Sequence, residues 1–344
     1  MKSPKIVYLV TRAHGLKVHL FKTDDYVRML RTKNLLELFD LLLKSDYASE
    51  LSRVSTKELD AYQLERTFYQ KLSERFTFLF EVTSGRVRES LEEYFKQIEI
   101  ENVKRIIRAI HGKEGLGQDQ LVPIPRRFQT VNSSALLETH TMRQMVDLLR
   151  ETPYGRLRNT VDMYEQTGNP TLFEAQLDNI FYSGFWETLE RVSGNSKVKK
   201  LVGTEADLKN LFYVLSLKFT NTEPEITRKS LVNIHYRLSK TLTQQLIDSP
   251  METAPRLFTG PPYADLAKEA GELLEKKSPV EAEIAFSRFL YSYAETSSLR
   301  NPNDLVYVFA YLQLCFKEAK NLTTLALGKQ LGLEEERIQS LLFL

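Results

Sequence analysis

Apolar side chains recur at steps of three and four residues along most of this chain. Ile100, Val103, Ile107 and Ile110 fall on one face of a helix that Gly112 should end. Leu208, Leu211 and Leu215, with Phe212 beside them, repeat the pattern, and Leu322 and Leu325 repeat it again before a stop near Gly328 or Gly332. Amphipathic stretches also precede two of these segments, through Leu35, Leu38, Phe39 and Leu42 and through Met142, Met145, Val146 and Leu149. Thr152-Pro153 reads as an N-cap followed by an N1 proline, and Asp46 can cap in the corresponding earlier place. With only 14 Gly and 12 Pro among 344 residues, there are too few reversals for a hairpin-rich sheet protein, so the expected class is all-α.

The helical segments carry a threefold repetition. Each copy opens on a tyrosine expected in a first helical turn: Asp46-Tyr47-Ala48, Pro153-Tyr154-Gly155 and Pro262-Tyr263-Ala264. A leucine follows within a turn, at Leu51, Leu157 and Leu266. Each copy closes on an acid, two residues, an asparagine and an aliphatic residue: Glu99-x-x-Asn102-Val103, Asp207-x-x-Asn210-Leu211 and Glu318-x-x-Asn321-Leu322. Tyrosine and asparagine lie 55, 56 and 58 positions apart. Between them stand Leu64-Glu65-x-x-Phe68-Tyr69, Leu177-Asp178-x-x-Phe181-Tyr182 and the weaker Ile284-Ala285-x-x-Arg288-Phe289. A period of about 110 residues exceeds a solenoid unit and matches a compact domain. The expectation is three similar helical-bundle domains, 1–118, 119–225 and 226–344, arranged as a pseudo-threefold funnel. Linkers are expected at the glycine- and proline-bearing stretch from Gly112 to Phe128 and at the polar stretch from Phe219 to Ser230.

Charge and cysteine usage narrow the function. A formal net charge of +2 does not call for a nucleic-acid or anionic-membrane partner. The single cysteine, Cys315, sits in an apolar helical stretch and reads as a buried structural thiol in a reducing compartment. No apolar run reaches the eighteen or so residues of a membrane span, and Ile6-Val7-Tyr8-Leu9-Val10 is too short for a signal-peptide core.

Catalytic constellations are missing. Gly112-Lys113-Glu114-Gly115-Leu116-Gly117 lacks the order of a phosphate-binding loop, and the five histidines include no pair spaced for a metal. No cofactor is expected. Arg126-Arg127 and Lys197-x-Lys199-Lys200 read as solvated charge, since no aromatics interleave them. An acid and an amide three positions apart share a helix face, so Asn102, Asn210 and Asn321 are expected to be internal fasteners, one per domain.

The chain resembles the C subunit of the archaeal-type ATP synthase, whose eukaryotic counterpart is the d subunit of the V-ATPase. The resemblance rests on Tyr8-Leu-Val-Thr-Arg12 with Leu16-Lys17, on Leu42-Leu43-x-x-Asp46-Tyr47-Ala48, on Thr152-Pro153-Tyr154-Gly155, and on Lys317-Glu318-Ala319-x-Asn321-Leu322 followed by Gly332-Leu333. It implies a non-catalytic rotor subunit of the central stalk, one copy per complex, without a membrane span. Such a subunit sits peripherally on the cytoplasmic face of the membrane, between the ion-carrying ring subunits and the central shaft subunits, and transmits torque. Tyr47, Tyr154 and Tyr263, one per domain, are then candidates for the ring interface. A helical scaffold binding peptide or RNA is the alternative reading, and a hydrolase is a third, whose acids and histidines would have to converge from distant segments.

Overall fold

The computed structural model describes residues 4–257, 263–276 and 278–344. Among these the regular structure is α-helix and short 3-10 helix, with no strand, as the spacing of apolar residues predicts. Pro262 lies outside the described residues. Contacts group the chain into two compact units, one formed from Met1–Arg88, Asp119–Arg127 and Tyr291–Leu344, the other from Glu89–Gln118 and Phe128–Leu290.

The first unit is built on Leu305–Gln330, whose residues from Leu305 to Cys315 are all buried. A helix apolar on every side is stable only when neighbours cover it all round. Ala61–Glu81 runs antiparallel to it, because the Ala61 amide donates to Gln330 Oε1 at 2.6 Å while Arg75, fourteen residues on, reaches Glu318. Pro4–Lys17 adds Leu9, Val10 and Ala13 to the same core. Gly332, at φ +64°, stops the central helix in the left-handed conformation that glycine adopts without steric cost, and the Leu333 amide closes back on the Gly328 carbonyl at 2.9 Å.

In the second unit Thr171–Glu190 packs on Ser196–Phe219, and a core through Leu211, Val214, Leu215, Leu246, Ala267 and Leu274 joins them to Lys240–Asp248 and Ala264–Glu275. The stretch expected to be a polar linker is ordered differently. Ser196–Phe219 continues to Phe219, Asn221 turns the chain at φ +54°, and Pro224 at the first helical position starts a new helix, Pro224–Ser230. Ile226 then packs on Leu172 and Leu217, so the segment belongs to a small core of its own.

Candidate functional site

The three tyrosines occupy one kind of place. Each is the N-cap residue rather than a first-turn residue: Tyr47 precedes Ala48–Leu51, Tyr154 precedes the 3-10 helix Gly155–Thr160, and Tyr263 precedes Ala264–Glu275. The hydroxyl two residues earlier fixes the turn, since Ser45 Oγ accepts from the Tyr47 amide and Thr152 Oγ1 from the Tyr154 amide, both at 3.2 Å. Asp46 does not cap as expected. Its carboxylate accepts from Arg75 Nη2 at 2.9 Å, a charged partner that a cap amide cannot match.

All three rings are buried, with exposures of 1%, 0% and 5% for Tyr47, Tyr154 and Tyr263, so they are not presented on the protein surface. Each hydroxyl donates to the closing acid of a different copy of the repeat. Tyr154 reaches Glu99 Oε2 at 2.8 Å, Tyr263 reaches Asp207 Oδ2 at 3.0 Å, and Tyr47 reaches Glu318 Oε1 at 2.8 Å. The second copy is thus fastened to the first, the third to the second, and the first to the third. Burial, and then the adjoining carboxylate, push all three phenols above the ordinary tyrosine pKa, which keeps them donors at any physiological pH.

The same acids also gather backbone amides. Glu99 accepts from the Thr130 and Val131 amides at 2.7 and 3.1 Å, and from the Thr130 hydroxyl. Asp207 accepts from Tyr236, Arg237 and Leu238 at 3.1, 2.7 and 3.1 Å, and Glu318 accepts from Phe21 at 2.6 Å. Burial raises the Asp207 pKa against the pull of these amides. A buried carboxylate has about four acceptor positions to fill, and these donors offset part of the cost of its burial. Each acid therefore ties down two points of the chain: an amide segment and a tyrosine some 25 residues further on, from Phe21 to Tyr47 as from Thr130 to Tyr154 and from Leu238 to Tyr263.

The asparagines do parallel work one helical turn later. Asn210 accepts from the Val232 amide at 2.8 Å and donates to the Val232 and Ile234 carbonyls at 2.9 and 3.3 Å. Asn321 accepts from the Phe343 amide at 2.8 Å, again 22 residues downstream. Asn102 is buried to the same degree. Asn210→Ala removes three hydrogen bonds at a fully buried site and is expected to cost about 1–3 kcal/mol in chemical denaturation. A change below the error of the measurement would show that water replaces the amide.

The third fastener differs from the other two. Among the described residues, Glu318 alone of the three acids has a cation in contact, Arg75 Nη1 at 2.7 Å. Arg75 lies over the Tyr47 ring and also holds Asp46, while Lys71 extends the network to Glu50 at 3.4 Å. Beside it Cys315 is buried, and burial pushes its thiol up to about 12, so it is unreactive.

A second buried ionic cluster stands at the middle anchor of the second copy. Asp178 accepts from Lys104 Nζ at 2.6 Å, Lys209 Nζ lies 3.2 Å from its other oxygen, and the Tyr213 hydroxyl donates to that oxygen as well. Burial opposes the carboxylate, yet the two lysines hold its pKa well below the ordinary range. Sequence reasoning noted Asp178 only as part of a pattern. Its lysines come from other helices, so spacing within one helix could not reveal them.

Among the described residues no group of three His, Cys, Asp or Glu side chains could hold a metal, and no helix is long and apolar enough to cross a membrane. The basic runs lie outside the core: Arg126 and Arg127 are exposed on a 3-10 turn, with Arg127 on Glu81 at 3.2 Å, and Lys199 pairs with Glu190 at 3.1 Å over the Trp186 ring.

What these features define is an all-helical protein held by repeated buried fasteners. The family model for the ATP synthase (C/AC39) subunit matches residues 9–341, and the chain belongs to that family. It is similar to the A-type ATP synthase C subunit of Methanocaldococcus jannaschii, with 25% identity across 97% of this chain and 85% of the relative. The corresponding C subunits of Halorubrum lacusprofundi and Methanococcoides burtonii share 22% and 24% identity, over 97% and 98% of this chain and 96% and 94% of theirs.

Proposed function

We propose that this chain is the non-catalytic central-stalk subunit of a rotary ATPase, seated between the membrane ring and the shaft and passing torque between ion flow and ATP chemistry. The observation that carries the reading is the family match over residues 9–341, together with A-type ATP synthase C subunits that align over 85% or more of their length. A torque-bearing part must resist deformation, and buried fasteners that span distant points of the chain serve that need. They work as a series: three segments, 1–118, 119–225 and 226–344, each fastened through its tyrosine to the acid of another. The tyrosines then stiffen the adaptor, and contact with the ring falls to exposed residues around their turns. In the cell the subunit sits at the cytoplasmic face as a peripheral component, one copy per complex.

Affinity purification through a tag on this chain is expected to recover a hydrophobic ring protein and a helical shaft protein, identified by mass spectrometry. Recovery of the chain alone, or with RNA-binding partners, would overturn the reading.

A further inference from the structure

The Pro4–Lys17 helix is not accounted for by the fasteners. It carries no acid, and the first acid of the whole chain is Asp24. Its inner side, Leu9, Val10 and Ala13, is buried, but Val7 and Tyr8 are half exposed, and Phe78 of Ala61–Glu81 is exposed beside them. Arg12 lies between these rings. Its guanidinium carbon is 3.9 Å from the centre of Phe78 and 5.7 Å from that of Tyr8.

A guanidinium stacked on rings keeps its in-plane N–H groups free at the edge. Arg12 Nε is buried without an acceptor among the described residues, so the edge open to an incoming group is that of the two terminal nitrogens. The terminal N–H groups of a fixed guanidinium form a fork shaped for the two oxygens of a carboxylate. The lysines of this helix are held by hydroxyls: Lys5 donates to Ser84 Oγ at 3.1 Å and Lys17 to Ser298 Oγ at 2.7 Å.

We propose that Val7, Tyr8, Arg12 and Phe78 form a docking surface for an acidic, amphipathic segment of another protein subunit, with one of its carboxylates seated on Arg12 between the two rings. The inference rests on the chain working as one subunit of a larger assembly. Charge complementarity selects the acid, and the apolar residues around Arg12 select a protein segment over a free anion. An anionic membrane suits the surface less well, because an interfacial helix needs a broad apolar face, and here Leu9, Val10 and Ala13 are in the core, which leaves only Val7 and Tyr8 of the helix's large apolar residues exposed beside Arg12.

The test places the photo-crosslinker p-benzoylphenylalanine at position 8 in the full chain, expressed where the complex assembles. The expected product is a cross-link to a peptide of another subunit that contains Asp or Glu. Arg12→Gln should then weaken retention of that subunit about tenfold at about 0.15 M salt while the chain melts as before. Replacing the cross-linked acid by Arg should restore retention to an Arg12→Glu chain. Should Arg12→Gln impair folding, Tyr8→Ser at the exposed ring gives the same reading. Cross-linking to lipid, undiminished retention in both variants, or binding of the isolated chain to anionic vesicles that Arg12→Gln abolishes would each overturn the proposal. If rotary-ATPase subunits co-purify but none cross-links, only the docking surface fails; if none co-purifies, the subunit reading fails with it.

Discussion

Arg75→Met is expected to destabilise the protein by about 3–5 kcal/mol, the cost of stripping one partner from a buried ionic network. Arg75 is 4% exposed and Glu318 is 2% exposed, so the carboxylate that remains cannot recover its lost contact from water. Burial works against the arginine's charge, but Tyr47 and Glu318 hold its pKa above the ordinary value, so it is charged at every accessible pH. Glu318 would keep the Tyr47 hydroxyl and the Phe21 amide, and Asp46 would keep Lys71 at 3.6 Å. The loss should therefore be large without preventing folding. Pairing the change with Glu318→Gln should return part of it, because the stranded charge is gone. Urea midpoints of the two single variants and the double variant measure the coupling, and simple additivity of the two losses would show that the pair does not act as a unit.

Helix content was legible because it depends on local periodicity. Ile100, Val103 and Ile107, or Leu208, Leu211 and Leu215, are buried as their spacing demands. The recurrence of tyrosine and acid was legible too, but the pairing was not, since each tyrosine binds an acid 55, 56 or 271 positions away in another copy. The equal spacing held the signal: an acid and a tyrosine that recur together can satisfy each other across copies. Competition between local and distant partners explains the errors. Asp46 has the chemistry of a cap and an arginine within reach, and the arginine wins. The stretch from Phe219 to Ser230 looks polar, yet its buried apolar side chain Ile226, together with an N1 proline, is enough to build a helix against a neighbour. The docking surface was legible only as two residues of a family pattern, Tyr8 and Arg12. Phe78, which completes it, comes from a helix more than sixty positions away.

Asp178→Asn should also cost about 3–5 kcal/mol near neutral pH, and it should change the shape of the acid limb of the stability curve. The substitution keeps the volume and removes the charge. Lys104, whose side chain is 9% exposed, is then a buried ammonium without its ion pair, whereas Lys209, 34% exposed, can turn toward water. The penalty should therefore come mainly from Lys104, and Lys104→Met in the same chain should recover much of it. The sign of the pH dependence follows from the direction of the shift. With its folded pKa held below the unfolded value of about 4, Asp178 contributes stability that is fully present above that value and is lost as pH falls toward the folded pKa. Wild-type stability should accordingly decline as pH drops from about 5 to about 3, and the Asp178→Asn chain should decline less steeply over the same window. Urea midpoints across that range decide the matter. Parallel curves for the two chains would mean that the carboxylate is no better stabilised in the fold than in the unfolded chain, and that Lys104 and Lys209 do not hold it as the geometry requires.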